Sequence, residues 1–334
     1  MLFRSMETKV EGKIQRSKSD VLKRLLRDDR TSPILLLVLA VLFLCIVTPD
    51  KFLQFINLRN VVRFASFYII VGVGTLIVFM AGEMDMSTGS VMGMGGIVAA
   101  FMARAGVNVW LIFLVVVIIG VVCGMVNGLF VGYWGLPAFV ATLGVQKALR
   151  GLITVVTQGY AVNNMSDGFL WLGGGDIFSI PVPIYICIIV CVISWYLINK
   201  TVLGRHMIAT GNNRQAAIVA GINTRRTKCL AYIYSGILAA ITGMVLTARL
   251  QSGQTTCGEG FELDAIAGAI IGGASLGGGG GSIAGTVCGI MFIYVVKNGM
   301  QLLSVNTYWQ NTVQGLILIL AVLIDMLRRR ANSK

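Results

Sequence analysis

The stretch Thr201–Lys228, TVLGRHMIATGNNRQAAIVAGINTRRTK, decides how the rest of the chain is read. It separates two apolar runs, Pro181–Ile198 and Cys229–Leu246, and is the one sizeable polar, basic segment in the interior of the chain. It carries Arg205, Arg214, Arg225, Arg226 and Lys228, with Lys200 just before it, and no acidic residue. Lys and Arg accumulate on the untranslocated side of a membrane protein, so this segment belongs in the cytoplasm. Asn212 or Asn213, following Gly211, can cap a short helix that begins at Arg214. Gly221 suits the position just past its end. Ala217, Ile218 and Ala220 give that helix a small apolar surface beside its polar one. An amphipathic helix of about two turns suits docking into a groove on a partner. The same residues also fit an ordinary connecting loop.

Composition carries the membrane assignment outward from this loop. Of 334 residues, 56% are hydrophobic and 12% charged, and the mean hydropathy is +0.82. With several runs of about twenty apolar residues, this is an integral membrane protein rather than a soluble domain. The 41 glycines suit close helix packing in lipid. A net charge of +13 would point to nucleic acid in a soluble protein, but its placement excludes that partner. Nine basic residues lie in positions 1–33, six between Lys200 and Lys228, and four between Arg328 and Lys334. The charge is a topology signal, with attraction to anionic lipid of the bilayer as a second effect.

Ten spans are expected, near 33–48, 60–81, 88–104, 108–133, 137–158, 181–200, 227–249, 262–277, 281–302 and 308–327. The fold class is therefore an all-α polytopic membrane protein of about ten transmembrane helices. An even count puts both termini in the cytoplasm with the 201–228 loop. It puts Gly159–Ile180 outside, and that loop has Asp167 and Asp176 but no Lys or Arg. Lys51, Arg59 and Arg104 fall on the outside, against the rule. Residues 34–327 form the membrane domain. Residues 1–33 are a basic arm, either an amphipathic helix on the inner leaflet through Val21, Leu22, Leu25 and Leu26 or a partly disordered segment. It does not read as a secretory signal. Residues 328–334 are a basic cytoplasmic tail.

The third and eighth spans are weak, Gly-rich and begin beside acidic residues: Glu83 and Asp85 before one, Glu262 and Asp264 opening the other. Interrupted, partly polar segments at matching places in two halves are the sign of an internal repeat around a central path. With five spans in each half, the repeats would be inverted. Carboxylates at membrane depth are costly and face a wet cavity or a partner. Asp85, Ser87, Ser90, Asn127, Glu262 and Asp264 are therefore the candidate pathway residues, although a loop at the membrane rim fits the Asp85 stretch too. The run Gly277–Gly281 cannot be a stable helix. No Gly-Lys-Ser/Thr follows it, so it is not a phosphate cradle. Gly12-Lys13 is followed by Ile14, so no ATPase motif is present. No Ser/His/Asp set occurs. The seven cysteines, Cys187 and Cys191 included, read as packing residues without a second pair for a metal. Neither catalysis nor a cofactor nor a metal is expected.

Three motifs carry a family resemblance that covers about Ile34 to Met326. Gly204, Arg205, Ala209, Gly211, Asn213, Ala216, Ala217, Gly221 and Ile222 fill every fixed place of G-R-x-x-x-A-x-G-x-N-x-x-A-A-x-x-x-G-I. Glu262–Ala267 reads E-L-D-A-I-A, and Gly272–Ser282 reads G-G-x-S-L-x-G-G-x-G-S. Gly82, Asp85, Ser87, Gly89 and Ser90 match G-x-D-L-S-x-G-S with one residue added, Glu83 being an extra charge and Met86 standing for Leu. The chain resembles the permease subunits of bacterial ABC importers for ribose, galactose, arabinose and related monosaccharides. The resemblance implies a multi-pass inner-membrane subunit working as a homodimer, or as a heterodimer with a close paralogue. It further implies a cytoplasmic ABC ATPase and a periplasmic sugar-binding protein as partners. Arg205, Gly211, Asn212, Asn213, Ala216, Ala217, Gly221 and Ile222 would then form the coupling element that meets the ATPase. Two other expectations stay open: a proton-coupled secondary transporter using the four carboxylates, and an ABC permease for a sugar-like signal such as autoinducer-2.

Overall fold

The computed structural model describes residues 32–332 and is built almost entirely of helices. The expected basic arm, apart from its last two residues, lies outside the described residues. Helices α1 (Ser32–Val47), α2 (Pro49–Phe52), α3 (Phe55–Met80), α4 (Thr88–Arg104), α5 (Val109–Gly128) and α6 (Ala138–Thr157) make the first half. Then come α7 (Asp167–Gly174), the two-residue strands β1 (Asp176–Ile177) and β2 (Ile180–Pro181), and α8 (Val182–Lys200). The second half continues with α9 (Val202–Asn212), α10 (Arg214–Val219), α11 (Thr224–Leu250), α12 (Phe261–Ile271), α13 (Ile283–Leu302) and α14 (Thr307–Asn332).

Six of these helices are long and apolar enough to cross a membrane: α3, α5 with the π-helical turn Leu129–Tyr133 that prolongs it, α6, α8, α11 and α13. A helix also occupies each of the other four places read as spans, but α1 has 16 residues, α4 has 17 and α12 only 11. The eighth expected span, 262–277, is cut short because the chain leaves the helix at Gly272, the start of the Gly-rich segment Gly272–Ser282. The backbone of α14 continues to Asn332, so the start of the basic tail is helical rather than separate.

The core is built on α3 and α11, both mostly enclosed, with α4 and α5 packed along α11. Small residues allow this. A Cβ on Gly120 of α5 would lie 2.6 Å from the Gly236 carbonyl oxygen of α11, so the two backbones touch where side chains would normally stand. Tyr232 of α11 is fully enclosed in the same core, and its hydroxyl donates to the Met84 carbonyl at 2.9 Å. The outward faces of α5, α6 and α8 carry Trp110, Leu114, Val140, Val155, Ile189 and Val192, as lipid-facing helices should.

Arg59, expected outside against the charge rule, has an acidic partner. It pairs with Asp176, whose other oxygen lies 3.3 Å from Arg63. The hydrogen bond from Arg59 holds the Asp176 carboxyl below the usual carboxylate range. A cation and the acidic loop expected outside thus meet on one side. Lys51 likewise donates to the Leu302 carbonyl at 3.5 Å, near the C-terminal end of α13.

Candidate functional site

The basic stretch Thr201–Lys228 folds as two short helices ahead of the start of α11. Thr201 caps α9 through its hydroxyl, which accepts from Gly204 N–H at 3.2 Å. Of the two candidate caps for α10, Asn213 takes the role: its Oδ1 accepts from Ala216 N–H at 3.0 Å. Asn212 ends α9 instead. The helix is six residues long, in keeping with the roughly two turns expected. It closes with Ile222 N–H donating to Ala217 O at 3.0 Å and Gly221 N–H to Ile218 O at 2.9 Å, the glycine left-handed at φ +79°. This is the glycine stop the sequence implied.

Which residues α10 offers outward differs from the expectation. Ala217 faces inward and is 3% exposed, so it seats the helix. Val219 is 89% exposed and Ile218 47%, with exposed Arg214, Arg225 and Arg226 nearby in sequence. Behind α10, Gly211 interlocks with both glycine breaks. Its Cα faces Gly82 and Gly278, and its neighbour Asn212 faces Gly279. Gly279 N–H donates to the Met80 carbonyl at 3.3 Å. The segment 81–87, the segment 272–281 and the end of α9 therefore meet backbone to backbone.

Four of the six expected pathway residues form one enclosed network. Asp85 Oδ1 accepts from Ser87 N–H at 2.9 Å and from Ser87 Oγ at 2.6 Å. Its Oδ2 accepts from Ser235 Oγ at 3.3 Å. Asn127 Nδ2 donates to Ser87 Oγ at 2.7 Å, and Ser90 Oγ donates to Ser87 O at 2.7 Å. A charge this enclosed requires such partners. Glu83, the extra acid of the motif, pairs with Lys228 of α11. The Asp85 stretch is therefore an organised break between helices.

Glu262 and Asp264 belong to a second group. Gln146 donates to Glu262 Oε1 at 2.8 Å, while Oε2 is buried beside Gly89 and lacks a hydrogen-bond partner. Arg150 ties the region together, donating to the carbonyls of Thr255, Cys257 and Gly89 at 3.0, 2.8 and 3.0 Å. The first turns of α4 and α12 thus come together around Arg150 and Glu262. Asp264 pairs with Lys297 of α13 and accepts from Gln314 Nε2 at 2.6 Å. Lys297 and Ser235 were not singled out from sequence. Lys297 had a signal, being the single charged residue on its own apolar span; Ser235 had none. Among the described residues, no group of three or more His, Cys, Asp or Glu could hold a metal ion.

Long apolar helices broken around enclosed acidic side chains are features of membrane transport proteins. A family profile described as "Branched-chain amino acid transport system / permease component" matches residues 57–322, and the chain belongs to that family. It is a transport component, not an enzyme. Curated relatives include the ribose import permease protein of Haemophilus influenzae, 36% identical over 86% of this chain and 90% of that one. The L-arabinose transport system permease protein of Escherichia coli is 35% identical over 89% and 91%. The D-allose transport system permease protein of Escherichia coli is 33% identical over 90% and 92%. No solved structure matches the chain.

Proposed function

We infer that the chain is the membrane-spanning subunit of an ATP-binding-cassette importer that carries a monosaccharide across a bacterial inner membrane. The observation that carries this is near full-length likeness to permeases of ribose, arabinose and allose. The family profile's description names branched-chain amino acids, but the named relatives are all sugar permeases, and identity along the whole chain is the finer guide. A cytoplasmic ATPase subunit supplies the energy, and a periplasmic binding protein delivers the sugar. Two copies of the chain, or this chain and a close paralogue, enclose the path.

Ten helices cross, with both termini, α9 and α10 inside. Residues 34–327 are the membrane domain, preceded by the basic arm and followed by the basic tail. Element order supports an inverted repeat. The run α3, α4, α5, α6 is matched by α11, α12, α13, α14; α3 and α11 have 26 and 27 residues, and each is followed by a break and a shorter helix. The exposed Ile218 and Val219 support α10 as the ATPase contact, with Ala216 beside them and Asn213, Gly221 and Ile222 fixing its ends. Arg205 and the other cations suit an acidic groove rim. ATP binding would move α10, and the glycine junction at Gly211 would pass that movement to the breaks holding Asp85, Ser87, Ser90 and Asn127 and, across α12, to Glu262 and Asp264. Coupling needs such an element with two arrangements that ligands bias differently.

The test is reconstitution of the complex purified with its ATPase and binding protein into liposomes. ATP-dependent uptake of labelled D-ribose, L-arabinose or D-allose is expected. Uptake by the chain alone under a pH gradient would replace this reading with the proton-coupled one. Competition by autoinducer-2 and not by the sugars would move the substrate to the signal class.

A further inference from the structure

A cavity of about 460 Å³ opens between α12, α13 and α14, and Asp264 and Lys297 lie on its wall. Thr256, Glu259 and Asn311 are exposed and form its rim; Asp264, at 2% exposure, with Lys297 and Gln314 forms its floor. We propose that this cavity is a binding station for a neutral polyhydroxylated ligand, a sugar in its ring form. The proposal rests on the sugar reading above for the claim that a sugar passes through the protein at all.

Its size falls within the ~300–1,000 Å³ of small-molecule sites. Its chemistry is mixed in the way a hydroxyl requires. A sugar hydroxyl donates one hydrogen bond and accepts others, so its site must hold both kinds of group side by side. Asp264 accepts, Lys297 donates, and the carboxamides of Gln314 and Asn311 do both. Each Asp264 oxygen has a protein partner, Gln314 on Oδ1 and Lys297 on Oδ2, so the polar groups of the floor are fixed in place. The floor is held from below as well. Lys297 Nζ stands 5.1 Å from the centre of the Tyr68 ring, which stacks on Phe261 at 4.0 Å.

Charge sets the ligand class. The Asp264 and Lys297 charges cancel across the ion pair, so the floor attracts neither sign on balance. An anionic ligand such as a sugar phosphate would meet Glu259 at the rim with no free cation on the floor to offset it. A neutral polyol loses nothing by entering. In the ten-span topology the 251–260 segment and the start of α14 lie toward the outer face. The cavity is then the first station a delivered sugar reaches.

The experiment uses the intact complex in liposomes and the three labelled sugars. Asn311→Leu and Gln314→Leu should each lower uptake of the carried sugar roughly tenfold, the loss expected for one or two ligand hydrogen bonds, while the ATPase still copurifies. Gly174→Ala, at the end of α7 and away from the cavity, should keep wild-type uptake. In parallel, Asn311→Cys is labelled with an uncharged maleimide, and the carried sugar should slow labelling while leucine and ribose 5-phosphate do not. Wild-type uptake in both Leu variants together with unprotected labelling would overturn the cavity. Protection by leucine or by the phosphate, and not by sugar, would overturn the ligand class. A wild-type complex that carries no sugar would instead overturn the proposed function, a separate outcome.

Discussion

Gly211→Ala tests the proposed link between α10, as the docking helix, and the proposed transport path. Gly211 lies in the last turn of α9, and a Cβ there would lie 2.5 Å from the Gly279 nitrogen and 3.0 Å from the Met80 carbonyl carbon. The Met80 carbonyl oxygen would be closer still. These are backbone atoms, so no side-chain rotation can make room. The 81–87 segment, the 272–281 segment or α9 must move. Overpacking by one methyl costs about 1–3 kcal/mol, and each 1.4 kcal/mol is tenfold in an equilibrium. A shift of the junction should therefore bias the inward/outward equilibrium by roughly ten- to a hundredfold. The face proposed to meet the ATPase is left alone, because Ile218 and Val219 lie on the next helix and are exposed. The assay is the ratio of sugar taken up to ATP hydrolysed in liposomes, with ATPase copurification as the measure of assembly. The expected result is intact assembly with the ratio reduced at least tenfold. A variant with a wild-type ratio would show that the glycine contact is packing alone and that coupling runs by another route.

Val219→Glu puts a charge on the most exposed apolar residue of α10 and should abolish ATPase copurification, whereas the buried Ala217 reports on the seat of the helix instead. Retained copurification would move the docking face elsewhere. Glu83→Gln leaves Lys228 enclosed without its counter-ion, which costs roughly 3–5 kcal/mol; thermal unfolding in detergent should fall clearly, and pairing it with Lys228→Met should recover much of the loss. Asp176 is held below its ordinary range by Arg59, so its contribution is present above the unfolded carboxylate's value near 3.9 and is lost as pH falls through the lower folded one. Contact between the β1–β2 loop and α3 should loosen only in strong acid. Asp176→Asn should remove that acid step, as read by hydrogen exchange of residues 175–181.

The parts legible in the sequence are those where one physical rule acts alone. Lipid demands long apolar helices, so their existence was plain, and the Asn213 cap and Gly221 stop of α10 follow from local backbone chemistry. Where two distant segments decide together, the sequence was silent. Thr201 capping a second short helix was readable in principle, since a hydroxyl before Val202-Leu203-Gly204 is an ordinary start signal. The inward turn of Ala217 was not, because it depends on what α10 lies against. The counter-ions show the same division. Membrane depth makes a partner for Glu83 and Asp264 obligatory, yet Lys228 lies 145 residues from Glu83 and Lys297 lies 33 from Asp264, and nothing local announces either pairing. Asking where each carboxylate's cation could come from would have pointed to Lys297, the single charge on its helix. That question also connects structure to mechanism. Asp85 and Asp264, with both oxygens partnered within the protein, have no need of a charged cargo and suit a path that hands a neutral, hydroxyl-rich molecule from one set of hydrogen bonds to the next.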